Sequence, residues 1–169
     1  QVRTEAAEGP RFSIEESKGY LGPAQSAAID DILAGKATRN TVVAFPKIPP
    51  VLEALGVKRT PMAASQSVIW KANSDKHGMT ADQIKAAIEG LADPVMAFDS
   101  LTSSDSYVFL VDVGTEARPV VVAIHTNEKL GHTEISRIAS IHPRDNAGNI
   151  TNWIREGALR YFNKRKAGT

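Results

Sequence analysis

The stretch YVFLVDVGTEARPVVVAIHT, residues 107–126, decides the fold because it contains two strand-like runs joined by a turn-like segment. Residues 107–113 and 120–126 are rich in β-branched and aromatic side chains, and the GTEARP segment between them has the length of a hairpin connection. Residues 95–98 and 132–141 have the same character, and turn-forming residues separate all four runs. Consecutive strands without intervening helices predict an antiparallel meander.

Helical signals precede this meander. The sequence predicts helices over residues 23–33 and 81–91, and a shorter helix that begins at Pro49 and Pro50 and ends at Gly56. The apolar positions of these segments recur at helical spacing, so each predicted helix has one face to bury against the strands.

Shorter elements complete the pattern. The sequence predicts a strand over residues 41–45, a last strand over residues 159–162, and a short helix that is capped by Asn149 or Thr151 and runs to Gly157. The expected fold is α+β, an antiparallel sheet of four to five strands with the N-terminal helices packed on one face.

One domain accounts for the length. A chain of 169 residues with 42% hydrophobic residues can bury a core of its own. Residues 1–21 are polar, aperiodic and marked by Gly and Pro, so we expect a flexible linker there and a folded domain over residues 22–169. The first residue is glutamine, which predicts a processed or cut-out piece of a longer protein.

Composition excludes several kinds of site. The chain has no cysteine, so disulfides, thiolate metal sites and a cysteine nucleophile are ruled out. No run approaches the roughly 20 apolar residues that a membrane helix needs, so no membrane contact is expected. The four histidines are scattered singly, without an HExxH pair, and no serine stands in a GxSxG turn. The sequence therefore predicts no metal site and no cofactor, and gives little support to a zinc or serine hydrolase.

Charge is unevenly distributed along the chain. The net charge is +1, but residues 131–169 contain seven basic and three acidic residues, a net of +4, whereas residues 61–130 contain five basic and nine acidic residues, a net of −4. A basic face on a near-neutral protein is typical of a phosphate-backbone binder. The alternative is a solvated charge run at the C-terminus.

Residues 67–80, SVIWKANSDKHGMT, have the character of a site. The VIW run favours a buried strand, with Lys71 at its end. His77 precedes a helix that Thr80 and Gln83 open with a capping box. This arrangement predicts an ammonium and an imidazole in one cleft. The alternative is that Lys71 is a solvated strand end and His77 an ordinary loop residue.

The order of motifs over residues 50–166 resembles the C-terminal domain of phage MuF-type proteins, a branch of the barnase, EndoU, colicin and RelE-like ribonuclease superfamily. The motifs that carry the resemblance are VLEALGV (51–57), SVIWK (67–71), KHGMTADQI (76–84), LADPVMAFDS (91–100), YVFLVDV (107–113), VVVAIHT (120–126), RIASIHPRD (137–145) and IREGALRYFNKRK (154–166).

The resemblance implies a metal-independent endoribonuclease toxin. In this chemistry a base removes the 2′-hydroxyl proton, an acid protonates the departing 5′-oxygen, and cations stabilise the phosphorane, which leaves a 2′,3′-cyclic phosphate. Transferred to this chain, the implied catalytic residues are Lys71, His77, Ser140 and Tyr161, and the implied RNA-binding residues are Arg155, Arg160, Asn163, Lys164 and Lys166. Two of these have plain structural alternatives. Ser140, which lies by alternation on the face opposite Ile141, could be an ordinary strand serine, and Tyr161 could belong to the core.

The resemblance also implies partners and a place of action. It implies an RNA substrate, a cognate immunity protein, and a secreted or phage-delivered effector that acts in the cytoplasm of a target cell. The alternative function is a non-catalytic, phage- or toxin-associated binding module of the same fold. Such an adaptor would expose a large apolar patch.

Overall fold

Seven strands form one sheet in the computed structural model, which describes residues 21–38, 40–74, 77–113, 119–143 and 147–163, without the side chains of residues 147–149. The elements are α1 (Pro23–Leu33), β1 (Val42–Phe45), α2 (Pro50–Ala54), β2 (Met62–Ser65), α3 (Gln66–Asn73), α4 (Ala81–Gly90), β3 (Met96–Asp99), β4 (Ser106–Val111), β5 (Val120–Leu130), β6 (Thr133–Pro143), α5 (Ala147–Arg155) and β7 (Leu159–Phe162). Within the described ranges, no helix is long and apolar enough to cross a membrane. The predicted linker, apart from its last residue, lies outside them.

The strand order is β1-β2-β6-β5-β4-β3-β7. Strands β3 to β6 pair antiparallel with their neighbours in sequence, so the predicted meander is confirmed. The predicted sheet of four to five antiparallel strands is wrong in number and in direction, because β2 pairs parallel with β6 and carries β1 on its other edge. The MAAS sequence of β2 has no β-branched or aromatic residue, which is why strand patterning does not find it.

The helices α1 to α4 share one hydrophobic core with the sheet. Ile32 of α1, Ile69 of α3 and Ile88 of α4 are fully buried in it, together with Val122 of β5. Full burial of each such side chain contributes about 1.5–3 kcal/mol. The expected packing of the N-terminal helices on one face of the sheet is therefore observed. We call this the helix face and the other side the opposite face.

The C-terminal helix α5 lies on the opposite face. Its Trp153 contacts Phe98 edge to face, with ring centroids 5.2 Å apart. Phe98 alternates along β3 with Ala97, which belongs to the core of the helix face. Helix α5 begins at Ala147, upstream of the caps that the sequence predicts.

The SVIWK run is helical, which corrects the predicted strand. Ser65 caps the N-terminus of α3, where its Oγ accepts a hydrogen bond from the Val68 N–H at 3.3 Å. The buried side chains of α3 are Ile69 and Ala72, three positions apart, as one face of a helix requires. Strand propensity is overridden here by the cap and by the burial pattern. As a result Lys71 lies on the exposed side of a helix and not at a strand end.

The capping box ahead of α4 is confirmed. The Gln83 N–H donates to Thr80 Oγ1 at 3.1 Å, and the Thr80 N–H donates to Gln83 Oε1 at 3.0 Å. Both bonds satisfy N–H groups that a helix N-terminus would otherwise leave unpaired. The cap fixes where α4 starts and, with it, the position of the turn that contains His77.

Candidate functional site

A β-bulge in the β5–β6 ladder changes which side of the sheet Glu128 faces. His125 pairs with Arg137, and Glu128 pairs with Ile135, so three steps along β5 match two steps along β6. Alternation alone would place residues 125 and 128 on opposite faces. The extra residue of the bulge restores them to the same face. Asn127 within the bulge has φ +58°, a left-handed conformation that asparagine tolerates better than most residues.

A second bulge lies in the same ladder, nearer the N-terminal end of β5. Ala123 pairs with Ser140, and Ile124 pairs with Ile138, so β6 contributes one residue more than β5. This extra residue brings Ser140 onto the face that carries Arg137. Ile124 and Ile138 belong to the core under the helices, so the face shared by Ser140 and Arg137 is the opposite face.

These irregularities gather five polar residues on the opposite face of the sheet. Ser106 of β4 pairs with His125, and His125 pairs with Arg137, so three side chains form a row across three strands. Directly paired residues have Cβ atoms about 5 Å apart. Arg137 Nε donates to Glu128 Oε1 at 3.3 Å. We call this group the sheet-face cluster; its members are Ser106, His125, Glu128, Arg137 and Ser140.

The sheet-face cluster is accessible but held in place. The side chains of Arg137 and Glu128 are 40% and 37% exposed, and His125 is half-buried. Ser106 is 7% exposed, and its hydroxyl donates to Ser103 Oγ at 3.3 Å. Ser106 is therefore held in place within the protein, whereas Arg137 and Glu128 are accessible to a ligand.

Hydrogen bonds from Thr126 support the bulge that turns Glu128. The Thr126 N–H and hydroxyl both donate to the Asp105 carbonyl, at 2.7 and 3.0 Å. Asp105 has a left-handed φ of +55° in the turn before β4. Two bonds to one carbonyl tie the bulge to the neighbouring strand connection, so Glu128 is positioned by the backbone around it.

The sheet-face cluster combines the groups that proton transfer at a phosphodiester requires. An imidazole can act as an acid or a base near neutral pH, and a carboxylate can act as a base. A guanidinium binds phosphate oxygens through two N–H groups at once. Arg137 has both groups as neighbours, because it is the cross-strand partner of His125 and donates a hydrogen bond to Glu128.

Lys71 and His77 line different cavities. Lys71 lies in an open groove of about 1020 Å³ beside α3. His77 lines a separate cavity of about 80 Å³ together with Val120 and Pro143. The His77 ring stacks on His142, with centroids 5.5 Å apart. The structure thus does not place the ammonium and the imidazole in one cleft, because the SVIWK run is a helix whose exposed side turns Lys71 toward the groove.

Ser140 and Tyr161 lie on different faces of the sheet. Tyr161 is 3% exposed and belongs to the core under the helices. It pairs with Ala97, another residue of that core. Ser140 is half-buried on the opposite face. Among the four predicted catalytic residues, only Ser140 joins the sheet-face cluster.

The predicted RNA-binding residues are dispersed. Arg155 is exposed in the last turn of α5. Asn163 is 6% exposed, and its Nδ2 donates to Asp93 Oδ1 at 3.1 Å. Lys164 and Lys166 lie outside the described residues.

Arg160 is bound to a neighbouring strand. Its Nη1 donates to both carboxylate oxygens of Asp99, at 3.0 and 3.3 Å. Tyr107 lies beside this pair, and its pKa is raised, first by burial and then by the negative charge of Asp99, while Arg160 acts in the other direction. Arg160 therefore has an electrostatic role within the fold.

His125, Glu128 and Arg137 are functional candidates that sequence patterns do not identify. His125 reads as one more residue of a strand, and Glu128 stands in a polar segment that resembles a turn. The strand in fact continues to Leu130 through the bulge. Asn127 is the one local signal, because asparagine is favoured where φ is positive.

A family model described as the phage MuF C-terminal domain matches residues 69–169. The match covers more than half of the chain and includes β3 to β7 with the whole sheet-face cluster. No curated protein and no solved structure matches the chain.

Proposed function

This chain belongs to the phage MuF C-terminal domain family, and we propose that it is a metal-independent endoribonuclease whose reacting groups lie in the sheet-face cluster. One observation carries the proposal: a bulge places His125 and Glu128 on one face, where His125 is paired with Arg137 and Glu128 accepts a hydrogen bond from it. An acid, a base and a phosphate-binding cation on one accessible surface are the minimum that RNA transphosphorylation needs.

The proposed reaction transfers two protons and breaks one bond. The Glu128 carboxylate accepts the proton of the 2′-hydroxyl while the 2′-oxygen attacks phosphorus. Protonated His125 donates its proton to the departing 5′-oxygen as the P–O5′ bond breaks. The products are a 2′,3′-cyclic phosphate and a 5′-hydroxyl. Each proton-transfer group typically contributes a rate factor of about 10² to 10⁴.

Arg137 and Ser140 fit the electrostatic part of the reaction. Charge builds up on the phosphoryl oxygens in the phosphorane, and a positioned donor to such oxygens contributes roughly 10² to 10³ in rate. The guanidinium retains N–H groups beyond the Nε that bonds Glu128. Ser140 lies two cross-strand pairs from Arg137 along the ladder, on the same face of the sheet.

The other residues and partners expected from the sequence remain predictions. Catalytic roles for Lys71, His77 and Tyr161 would require RNA contacts away from the sheet-face cluster. A cognate immunity protein, delivery by secretion or by phage, and action in the cytoplasm of a target cell are carried by the resemblance alone. A non-catalytic binding module is the second candidate, and the apolar groove beside α3 is the observation that favours it.

The experiment that tests the proposed reaction is incubation of the full chain with total RNA and a chelating agent. The proposal expects fragments that end in a 2′,3′-cyclic phosphate, detected by 3′ ends that resist ligation until the cyclic phosphate is opened and the resulting phosphate is removed. Cleavage that stops with the chelator and returns with Mg²⁺ would overturn the metal-independent mechanism. Intact RNA would favour the binding module.

A further inference from the structure

The groove beside α3 collects exposed apolar side chains. Its volume is about 1020 Å³, and Val42, Trp70 and Leu130 line it. They are 36%, 52% and 52% exposed, and they account for three of the five large hydrophobic residues that are exposed in the described part of the chain. Exposed apolar side chains that gather in one concave surface mark a binding site more often than scattered ones do.

The groove runs along a free sheet edge. β1 is the first strand in the sheet order, so one of its sides has no neighbouring strand among the described residues. The Thr41 carbonyl accepts the Gln66 N–H, so by the alternation of an antiparallel ladder the N–H and C=O of Val42 point away from β2. The Gln25 side chain covers the next outward carbonyl, that of Ala44, at 2.9 Å. Val42 is also one of the residues that line the groove.

The edge strand is short and Gln25 covers one of its carbonyls, but it has none of the charged or proline residues that block further pairing at many sheet edges. Its sequence, VVAF, contains no charged residue and no proline. The neighbouring Gln66 lines the groove, and its Oε1 is buried without a hydrogen-bond partner among the described residues. A buried acceptor without a donor is energetically costly, so the wall of the groove is incompletely satisfied at Gln66.

Two of the three serine hydroxyls at the groove serve the ends of α3, and the third, that of Ser67, is hydrogen-bonded to Ser65 Oγ at 3.0 Å. Ser65 Oγ accepts the Val68 N–H, and Ser74 Oγ donates to the Lys71 carbonyl at 2.6 Å. They are therefore structural caps and not nucleophiles. Lys71 is the one charged residue among the described groove-lining residues, and no carboxylate accompanies it.

We infer that this groove binds an extended segment of a protein partner, which adds as a strand to β1. The segment would exchange backbone hydrogen bonds with Val42, place a large apolar side chain between Trp70 and Leu130, and present a carboxylate to Lys71. Main-chain pairing at a sheet edge and pockets for alternate side chains are the general features of this kind of recognition. Single-stranded RNA fits less well, because it follows several cations and the groove offers one.

The test uses a phage-displayed library of random nonapeptides, selected on the full chain, with selected sequences made as synthetic peptides. We expect them to share a large apolar residue and an acidic residue. Trp70→Ala should weaken their binding tenfold or more, as loss of an aromatic anchor does. Lys71→Glu should remove the preference for acidic sequences. Leu101→Ala, at an exposed apolar residue away from the groove, is the matched control and should not change affinity.

Hydrogen exchange at Val42 tests the proposed backbone pairing between peptide and β1. Bound peptide should slow hydrogen exchange of the Val42 amide tenfold or more, and Val42→Pro, which removes an outward N–H without removing a bond to β2, should weaken binding to a similar extent. Exchange at Val42 is measured on the unsubstituted chain, so the test does not depend on the folding of the proline variant. The inference would be overturned if bound peptide left hydrogen exchange at Val42 unchanged, or if peptide binding did not depend on Trp70. It would also be overturned if a U₁₀ oligonucleotide, and not peptide, slowed hydrogen exchange of the groove residues.

Discussion

His125 and Glu128 are three positions apart on β5 and face the same side of the sheet. A regular strand would point them in opposite directions, so the bulge at Thr126 and Asn127 is what makes them neighbours of the same arginine. Bulges cost regular ladder hydrogen bonds, and here Thr126 recovers two by donating to the Asp105 carbonyl. The local irregularity of the strand therefore positions the chemistry that we propose.

The bulge predicts a specific dependence on residue 127. Asn127→Ala should reduce the free energy of unfolding by about 1 kcal/mol, because alanine pays more than asparagine for a left-handed φ. Asn127→Gly should be close to neutral, since glycine adopts φ +58° without strain. Urea denaturation of both variants measures the difference. Equal stability of the alanine and glycine variants would mean that residue 127 is not held left-handed in solution.

Substitution of Arg137 should reduce RNA cleavage while leaving the free energy of unfolding nearly unchanged. Its ion pair with Glu128 is more than one third exposed at both side chains, and such pairs contribute less than about 1 kcal/mol. Arg137→Ala should therefore unfold at nearly the parent urea concentration and yet cleave RNA about 10²-fold more slowly. Arg59→Ala, which removes an exposed ion pair with Glu53, is the control and should alter neither quantity much. A parent-like cleavage rate in Arg137→Ala would remove the guanidinium from the reaction.

The Asp99 and Arg160 pair predicts the titration of Tyr107. Burial is the main cause of the raised Tyr107 pKa, and Asp99 adds to it, so Asp99→Asn should lower this pKa. Arg160→Met should raise it. Phenolate absorbance against pH, with Tyr107→Phe to identify the signal, measures both shifts. A rise in Asp99→Asn would contradict the geometry.

The same shift determines a stability effect at high pH. The folded pKa of Tyr107 lies above its unfolded value of about 10. The folded state therefore binds the phenolic proton more tightly, and the resulting stability is complete below the unfolded pKa and is lost as pH rises through the folded pKa. The parent should lose more stability than Tyr107→Phe over that interval.

Asn163 should behave as a structural residue. It is almost fully buried, its side chain donates to Asp93, and its N–H donates to the Val95 carbonyl at 2.8 Å. Asn163→Ala should lower the free energy of unfolding by about 1–3 kcal/mol, since it removes a bond to a charged acceptor. Its affinity for RNA should not change. The exposed Arg155 offers the comparison, because Arg155→Ala should leave stability within about 0.5 kcal/mol of the parent. Weaker RNA binding in a folded Asn163→Ala protein would restore the role that the sequence predicts.

The sequence predicts the regular parts of this fold and not its irregular ones. Strong local signals, such as the capping box at Thr80 and the β-branched run at the start of β5, lead to correct elements, because local propensity and burial agree there. The SVIWK run misleads because its β-branched residues favour a strand, whereas the Ser65 cap and the burial of Ile69 fix a helix. β2 is missed because its alanines carry no strand signal.

The candidate site depends on features that period analysis cannot detect. A bulge shifts the register by one residue, and a one-residue shift reverses the face of every later side chain. Ser140 and Arg137, like His125 and Glu128, have opposite parity in the sequence and the same face in the structure. Only the pairing of β5 with β6 reveals this. The match to the family over residues 69–169 is the part of the prediction that an independent comparison supports.

The most direct measurement of the central claim is the rate of RNA cleavage in the presence of a chelator. The proteins to compare are the parent, His125→Ala, Glu128→Gln and the control Glu134→Gln. Glu134 is suitable as the control because its carboxylate is exposed on the neighbouring strand. The account predicts that the parent produces 2′,3′-cyclic phosphate ends and that Glu134→Gln cleaves at nearly the same rate. His125→Ala and Glu128→Gln should fold normally and each lose about 10²-fold or more, equivalent to about 2.7 kcal/mol of barrier. A parent that cleaves no RNA, or folded His125→Ala and Glu128→Gln proteins that cleave as fast as the parent, would contradict the account.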